Sequence, residues 1–332
     1  MKWGLVGAST IASEHMIGAI RAQGHEIVGL LSGDRSRGAD YAARHGIPAS
    51  TTELDALLAT PGLGAVYVST TNEKHHPQAL AAIAAGMHVL CEKPLAMTTA
   101  QAAEMVRAAA AKRVVFATNH HLRNAGAHLA IRELIEAGRV GRVLSVRVFH
   151  AVHLPEHLRG WRINDAGTGG GVIPDITVHD ADTVRFHLGE DPVEVVAMAT
   201  ASGMGEGVED SVMSVWSMPS GAMVQTHESF THRFAGTGIE VHGTEGSIFG
   251  RGIMTQKPVG EVELVTAGGR QAVGFDGHDL YVRSLGLFDE AVAGRGRLAA
   301  DGVDGVKSLA VAMAVHEAAR TGRAVRVDYQ GF

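Results

Sequence analysis

The first 120 residues alternate short apolar runs with segments of helical spacing, and this alternation constrains the fold more than any other feature of the chain. The apolar runs lie at residues 3–6, 26–31, 65–69, 88–91 and 114–118. The helical segments lie at residues 11–23, 35–44, 53–59, 77–85 and 99–112. Strands buried on both faces read as continuous apolar runs, and strand–helix alternation with short connections places them in one parallel sheet. The sequence therefore predicts an α/β domain with a doubly wound parallel sheet over residues 1–120.

A different pattern begins after residue 120. A helical segment at 125–137 is followed by longer strands with period-2 character, at residues 143–150, 193–200, 211–218, 222–230 and 238–242. Pro219-Ser220-Gly221 separates two of these strands, where a hairpin turn is expected. Two more helices are expected at residues 284–293 and 305–321. We therefore predict a second, α+β domain over residues 121–332, with a large open, mainly antiparallel sheet.

The composition excludes several classes of protein. The 332 residues are 45% hydrophobic and 19% charged, which is typical of a globular protein with a sizeable core. The net charge of −6 disfavours a nucleic-acid partner, and no apolar run reaches the ~18 residues that a membrane helix needs. Cys91 is the only cysteine, so an internal disulfide and a cysteine-based zinc site are excluded. Because the apolar start is too short for a signal peptide, we expect a cytoplasmic protein.

The histidines raise the question of a metal site. They include adjacent pairs at 75–76 and 120–121, and an H-x-x-x-H pattern at His153 and His157. Adjacent histidines point in different directions, and Pro155 disfavours a regular helix in the third case. No pair has a third ligand at metal-site spacing, so we expect no metal.

The loop after the first strand has the spacing of a dinucleotide-binding turn. Gly7-Ala8-Ser9-Thr10-Ile11-Ala12 follows the first strand and opens the first helix, at the position of the G-x-G-x-x-G/A motif. Ser9 replaces the second glycine and Ala12 the third. Backbone N–H groups at such a helix start bind a pyrophosphate. An ordinary strand–helix turn is the alternative, but the context favours a Rossmann nucleotide site.

The end of the second strand indicates which dinucleotide binds. A carboxylate at this position usually binds the ribose hydroxyls of NAD. Here the strand ends in Ser32-Gly33, with Arg35 and Arg37 just beyond, and these side chains suit a 2′-phosphate. NAD is the alternative, because Asp34 can bind its ribose, but the Ser32 hydroxyl and the two guanidinium groups favour NADPH.

Lys93 follows the fourth apolar run, in the sequence Glu92-Lys93-Pro94. The carboxyl end of a parallel strand faces the crevice in which such sheets bind their ligands. A surface lysine in a turn is the alternative, although only six of the 29 basic residues are lysines. The position favours a functional lysine, and the Lys93–Pro94 peptide bond is a candidate for the cis form.

Asp175 and His179 follow the glycine run at 169–171 and are spaced i, i+4. On a helix both side chains lie on one face, and a histidine beside a carboxylate is a natural proton donor for carbonyl reduction. The three glycines allow close approach of a bulky group. A plain surface Asp–His pair is the alternative.

Together, the dinucleotide loop, Glu92-Lys93-Pro94 and Asp175 with His179 resemble the Gfo/Idh/MocA family of oxidoreductases. Further stretches resemble one sugar-reducing member of that family more closely, at residues 66–72, 91–97, 118–124, 160–162, 169–183 and 240–246. The likeness runs through nearly the whole chain and is weaker around His153, Glu156 and His157.

The resemblance implies roles for individual residues. It implies NADPH-binding roles in the first domain for Ala8, Ser9, Thr10 and Ile11 (pyrophosphate), Ser32, Gly33 and Arg37 (adenosine ribose and its phosphate), Thr70, Thr71, Asn72 and His75 (cofactor-lining loop), and Glu92, Lys93 and Asn119 (nicotinamide end). In the second domain it implies a cofactor contact for Trp161 and Arg162. Lys93, Asp175 and His179 are the implied catalytic residues, facing a substrate carbonyl.

The implied activity is the NADPH-dependent reduction of a sugar ketone, with a small-molecule sugar as the partner. A dehydrogenase of another sugar or polyol, or an NAD-using glycosidase of the same family, is the alternative. A non-catalytic NADP-binding regulator is disfavoured because the chain keeps both Lys93 and His179. The exposed face of the second sheet leaves the protein either a monomer or a homo-oligomer.

Overall fold

In the computed structural model, which describes residues 1–332, the chain divides into two units. The first unit comprises Met1–His120 and Tyr281–Val306, and the second comprises His121–Leu280 and Lys307–Phe332. The predicted second domain therefore loses residues 281–306 to the first unit. The reason is packing: the Phe288 ring lies 5.2 Å from the Trp3 ring, and Asp289 Oδ2 lies 3.2 Å from His25 Nε2.

The first unit contains a six-stranded parallel sheet in the order β3-β2-β1-β4-β5-β6. Its strands are β1 (Lys2–Val6), β2 (Glu26–Leu31), β3 (Ser50–Thr51), β4 (Leu63–Val68), β5 (His88–Cys91) and β6 (Phe116–Thr118). Its helices are α1 (Ile17–Ala22), which a π-helical turn at Ala12–Met16 precedes, α2 (Arg35–His45), α3 (Leu54–Leu58), α4 (Asn72–Ala84) and α5 (Thr99–Lys112).

Local sequence explains where these elements begin. The central strands are mostly apolar because helices cover the sheet, and the last four residues of β1 are buried. Asp34 is the N-cap of α2, since its side chain accepts a hydrogen bond from the backbone N–H of Arg37. Thr98 caps α5 in the same way, accepting from Gln101 N. Thr71 precedes α4, which begins five residues earlier than the sequence predicts.

The second unit contains a nine-stranded mixed sheet in the order β14-β13-β12-β11-β7-β10-β9-β8-β15. Its strands are β7 (Val143–Ala151), β8 (Glu194–Thr200), β9 (Ser211–Ser217), β10 (Met223–Ser229), β11 (Thr237–Gly243), β12 (Gly246–Arg251), β13 (Glu261–Thr266), β14 (Gly269–Val273) and β15 (Val325–Arg326). Only β7 and β10 pair in parallel. Its helices are α6 (Gly126–Glu136), α7 (Trp161–Asn164) and α8 (Val178–Leu188), the last preceded by a π-helical turn at Ile173–Thr177. Two long helices, α9 (Leu280–Val292) and α10 (Gly302–Thr321), follow the sheet strands and precede β15.

The two faces of this sheet differ in character. Along β9, Val212, Ser214 and Trp216 are buried, whereas Met213 and Val215 are exposed. The inner face packs against α8 and the core, and the outer face exposes large apolar side chains, including Met198 and Met223. The fold class predicted from the sequence is confirmed, and so is the β9–β10 hairpin around residues 219–221.

No helix combines the length and the apolar character that a membrane crossing requires.

Candidate functional site

The carboxyl ends of the parallel strands bring together the candidate residues of the first unit. Residues 8–11 follow β1, Ser32 and Gly33 follow β2, residues 70–72 follow β4, Glu92 and Lys93 follow β5, and Asn119 follows β6. The strand order reverses between β1 and β4, which is the place where open α/β sheets bind their ligands. We call this strip of residues the nucleotide edge.

Gly7 makes the sharp turn at the centre of the nucleotide edge. Its φ angle is +122°, and a Cβ atom there would lie 2.9 Å from the backbone oxygen of Ser69. Only glycine fits both conditions. Ser9, in place of the second motif glycine, contacts Ser69 Oγ at 2.8 Å and accepts a hydrogen bond from Ala12 N at 3.2 Å. The serine therefore ties the loop to the neighbouring strand and starts the helix.

Two side chains of α2 hold this loop by its carbonyl groups. Arg37 Nη2 donates to the Ala8 oxygen at 2.7 Å, and Tyr41 Oη donates to the Ser9 oxygen at 2.9 Å. Burial raises the pKa of Tyr41 to about 12, so the phenol stays a hydrogen-bond donor.

An open cleft of about 430 Å³ lies between this loop and α2. Four predicted cofactor residues line it, namely Ala8, Ser9, Thr10 and Arg37. Asp34, which the sequence analysis weighed as a ribose ligand of NAD, also lines it, and the lining residues that the sequence did not indicate are Ser13, Ser36, Asp40, Tyr41 and Arg44. A spacing signal was present, because Arg37, Tyr41 and Arg44 recur at i, i+4 and i+7 on one face of α2.

His75 joins two turns of the nucleotide edge. It is 1% exposed, and its Nδ1 and Nε2 lie 2.8 Å from the Pro94 oxygen and 3.2 Å from the Thr70 oxygen. Burial lowers the pKa of the ring. The ring therefore supports the Thr70 and Pro94 turns, and its contact with the cofactor stays a prediction.

Glu92 is fixed below Lys93 by two hydrogen bonds. Tyr67 Oη and Asn119 Nδ2 both donate to Glu92 Oε1, each at 2.5 Å. Burial raises the pKa of the Glu92 carboxyl. The Lys93–Pro94 peptide bond that follows is cis. Asn119 is 1% exposed and its Oδ1 has no hydrogen-bond partner, so this buried acceptor can take an N–H donor from a ligand.

In the second unit, backbone and side-chain atoms of other segments lie very close to the glycine run at residues 169–171. A Cβ atom on Gly170 would lie 2.4 Å from the Trp161 oxygen. One on Gly171 would lie 2.4 Å from Glu209 Oε1. The same Oε1 accepts a hydrogen bond from Ile173 N at 3.1 Å. Because the glycines have no side chains, α7 and Glu209 can pack against the start of the helical segment that carries Asp175 and His179.

Replacing Gly171 by alanine should destabilise the second unit. The residue has a φ angle of +115°, which side-chain-bearing residues rarely adopt, and the new Cβ atom would collide with the Glu209 carboxylate. We expect a loss of about 1–3 kcal/mol, seen as a lower urea midpoint. Gly274→Ala is the matched control, since nothing lies within 4 Å of its Cβ position. Equal midpoints for the two variants would contradict the close packing described here.

Asp175 and His179 lie on consecutive turns of one helical segment, as predicted, but a π-helical turn at Ile173–Thr177 spans the first of them. Arg162 Nε lies 3.5 Å from Asp175 Oδ2, and the Arg162 guanidinium stacks on the Trp161 ring at 4.6 Å. The His121 ring meets the His179 ring edge-on at 4.9 Å. The structure therefore brings three predicted residues, Trp161, Arg162 and Asp175, into one polar cluster within the second unit, and His179 lies one helical turn beyond Asp175, against His121.

A buried polar group behind His179 escaped the sequence reasoning. His150 Nδ1 lies 2.7 Å from Asp180 Oδ1, and Glu228 contacts the same aspartate. Asp180 and Glu228 are fully buried. The available signal was the occurrence of ionisable residues at inward positions of apolar strands. No group of three or more His, Cys, Asp or Glu side chains has the arrangement of a metal site.

The parallel sheet, the Gly7 turn and the helix start after β1 define the first unit as a dinucleotide-binding Rossmann domain. Residues 1–120 match the model of an oxidoreductase family with an NAD-binding Rossmann fold. Residues 128–249 match the GFO/IDH/MocA C-terminal domain. The chain belongs to the Gfo/Idh/MocA family of oxidoreductases.

Individual relatives agree with this assignment. The chain is 56% identical to a 1,5-anhydro-D-fructose reductase of Ensifer adhaerens, over 98% of both chains. It is 30% identical to D-xylose 1-dehydrogenase (NADP(+)) 2 of Haloferax volcanii, over 99% of this chain and 100% of the relative. Among solved structures, it superposes on the aldose-aldose oxidoreductase of Caulobacter crescentus in complex with glycerol with a TM-score of 0.90. That match has 25% identity and covers 98% of this chain and 99% of the other.

Proposed function

We propose that this protein reduces the C2 ketone of 1,5-anhydro-D-fructose to 1,5-anhydro-D-mannitol with NADPH. The observation that carries the proposal is the 56% identity, over 98% of both chains, to a reductase named for that substrate. The Arg162–Asp175 pair, with His179 one helical turn further on, supplies the chemistry that such a reduction needs from the protein.

The nucleotide edge fits a pyrophosphate and a 2′-phosphate. The backbone N–H groups at residues 8–11 stand at a helix start, where anions bind. Ser32, Gly33 and Arg37 follow β2, and Arg44 adds a second guanidinium to the same cleft. Asp34 already accepts a hydrogen bond as the N-cap of α2. These features favour NADPH over NADH, because a guanidinium binds a phosphate through charge-assisted hydrogen bonds.

We assign the nicotinamide end of the cofactor to Thr70, Thr71, Asn72, Glu92, Lys93 and Asn119; a cofactor contact of Trp161 and Arg162 is what the family resemblance implies. The buried Asn119 Oδ1 supports this assignment, since it is an acceptor that lacks a donor and the nicotinamide carboxamide has one. When bound, NADPH supplies the hydride.

Addition of hydride to the ketone carbon leaves a negative charge on oxygen, and the alcohol forms when that oxygen takes a proton. We assign the proton to His179, because an imidazole can donate near neutral pH. Asp175, one turn earlier, holds the charged form of the ring. Lys93 serves the same reaction as a positive charge that stabilises the alkoxide. The products are one alcohol and oxidised cofactor.

A second candidate is the oxidation of an aldose, favoured by the 30% identity to a D-xylose dehydrogenase over the whole chain. The segment around His153, Glu156 and His157 bears on this choice, since it resembles the anhydroketose reductases less closely than the rest of the chain.

The test follows NADPH absorbance with purified protein and a panel of ketoses, anhydroketoses, aldoses and inositols. We expect 1,5-anhydro-D-fructose to be reduced with the highest kcat/KM, and the product to be 1,5-anhydro-D-mannitol by chromatography. Silence on this substrate, together with NADP-dependent oxidation of D-xylose, would reject the leading proposal in favour of the second. Turnover of a glycoside without net change in the cofactor would instead identify a glycosidase.

A further inference from the structure

Three ionisable residues from three different elements meet beneath His179. His150 and Glu228 are direct partners in the parallel pairing of β7 and β10, so their side chains project side by side from one face of the sheet. Asp180 lies on α8, next in sequence to His179, and contacts both of them. We call His150, Asp180 and Glu228 the buried triad.

A chain of hydrogen bonds orients the Glu228 carboxyl group and indicates which of its two oxygens accepts a hydrogen bond. The Trp216 indole, which can only donate, gives its N–H to Ser214 Oγ at 2.7 Å. Ser214 contacts Thr226 Oγ1 at 2.7 Å, and Thr226 donates to Glu228 Oε2 at 3.1 Å. Glu228 Oε2 is therefore a hydrogen-bond acceptor. When the Glu228 carboxyl group is protonated, its proton lies on Oε1.

The remaining carboxyl oxygens face each other, and the Thr177 hydroxyl is the other polar group beside Glu228. Glu228 Oε1 and Asp180 Oδ2 are buried without a conventional donor, although the two carboxyls contact each other. Two carboxylates in contact cannot both be ionised in an apolar site. A shared proton, O–H from Glu228 to Asp180, satisfies both atoms. Burial raises the pKa of both carboxyl groups; Asp180 raises that of Glu228 further, whereas His150 opposes the rise at Asp180, so Glu228 is the group that keeps the proton.

The two carboxyl groups of the triad therefore carry a single negative charge between them, which we place on Asp180. Its Oδ1 accepts the Nδ1–H of His150 at 2.7 Å, which fixes the orientation of that ring. The centroid of the His150 ring lies 6.4 Å from that of His179. Asp180 is also the residue that follows His179 in the chain, and a charge on a neighbouring residue in a protein interior changes the proton affinity of a group substantially.

We propose that the buried triad is a positioning unit which acts through His179: protonated Glu228 holds the Asp180 carboxylate against His150, and this negative charge keeps His179 protonated to higher pH. The proposal rests on the proposed role of His179 as proton donor. It assigns no contact with substrate to any of the three residues.

The variants that test this proposal leave the other ionisable residues near the buried triad unaltered. His121 contacts the ring of His179, and His128 on α6 lies within electrostatic range of His150. His187 pairs with His128 at 3.0 Å. The Arg123–Asp182 ion pair and the Arg162–Asp175 pair supply the remaining nearby charges.

The experiment compares variants that keep the charge with one that removes it. Glu228→Gln keeps a donor toward Asp180 and keeps the single charge. Asp180→Asn moves the charge to Glu228, since the new amide can donate to its carboxylate. The double variant Asp180→Asn/Glu228→Gln carries no charge and retains the hydrogen-bonding shape of the pair.

The readout is the titration of His179 by NMR of histidine-labelled protein, with its signal identified through the His179→Gln variant. We expect the midpoint of Glu228→Gln to equal that of the native protein. In the double variant it should fall by about one pH unit. Equal midpoints in Glu228→Gln and the double variant would overturn the proposal.

A second readout separates this proposal from the proposed function. If the protein reduces the anhydroketose, the alkaline limb of the kcat profile should move by the same amount as the NMR midpoint. A shifted NMR midpoint without any ketose reduction would refute the proposed function and leave the triad standing. A kcat profile that stays fixed while the NMR midpoint moves would refute the action of the triad through a proton-donating His179.

Discussion

Replacing His179 by alanine is expected to lower kcat for ketone reduction by about 10²- to 10⁴-fold, the usual contribution of a positioned general acid. The affinity for NADPH should stay close to that of the native protein, because we assign none of the dinucleotide contacts to His179. Single-turnover hydride transfer and a fluorescence titration with NADPH measure the two effects separately.

Lys93→Ala is the comparison variant for this prediction. Lys93 belongs to the nucleotide edge, so its loss should lower kcat and also weaken the binding of NADPH. A His179→Ala protein that transfers hydride at the native rate, with an unchanged pH profile, would show that His179 is not the acid. In that case Lys93 takes the role of the proton donor.

Replacing Arg37 by alanine is expected to raise the KM for NADPH by roughly 10- to 100-fold while leaving the KM for NADH nearly unchanged. A charge-assisted hydrogen bond is worth about 1.5–3 kcal/mol, and only NADPH presents the 2′-phosphate that would use it. Steady-state kinetics with both cofactors gives the ratio directly.

The Arg37→Ala variant needs a control, because Arg37 also donates to the Ala8 oxygen and so supports the loop after β1. Arg35→Ala removes the same charge from the start of the same helix without touching the cleft, and it should change neither KM by more than a few fold. Equal loss with NADPH and NADH in Arg37→Ala would mean that this residue supports only the loop.

The nucleotide edge could be predicted from the sequence because its determinants are local. A glycine turn, the residues just after each strand and the helix starts all depend on a few consecutive residues, and the sheet then aligns them. The bounds of β2, β5 and α5 agree with the predicted segments. The helix at Asn72–Ala84 was predicted too short because Pro77 was read as its start, whereas the chain accommodates Pro77 inside the helix.

Features that depend on long-range pairing could not be predicted. The partnership of His150 with Glu228 requires the register of two strands far apart in the chain. The strands β12–β14 are short and rich in glycine or charge, so their pairing, and not their own propensity, makes them strands. The burial of His75 depends on the Pro94 turn, and no periodicity marks the π-helical turns before α1 and α8.

The return of residues 281–306 to the first unit has a consequence for synthesis of the chain on the ribosome. Trp3 donates its indole N–H to His25 Nδ1 at 2.9 Å, so the other nitrogen of that ring carries the hydrogen that faces Asp289. Phe288 covers the Trp3 ring from the same late helix. The N-terminal sheet emerges first, yet its own core stays open until nearly all of the chain has been translated. A nascent or truncated product that already carries the whole nucleotide edge would therefore expose Trp3, and we expect chaperones and proteases to recognise it as unfinished.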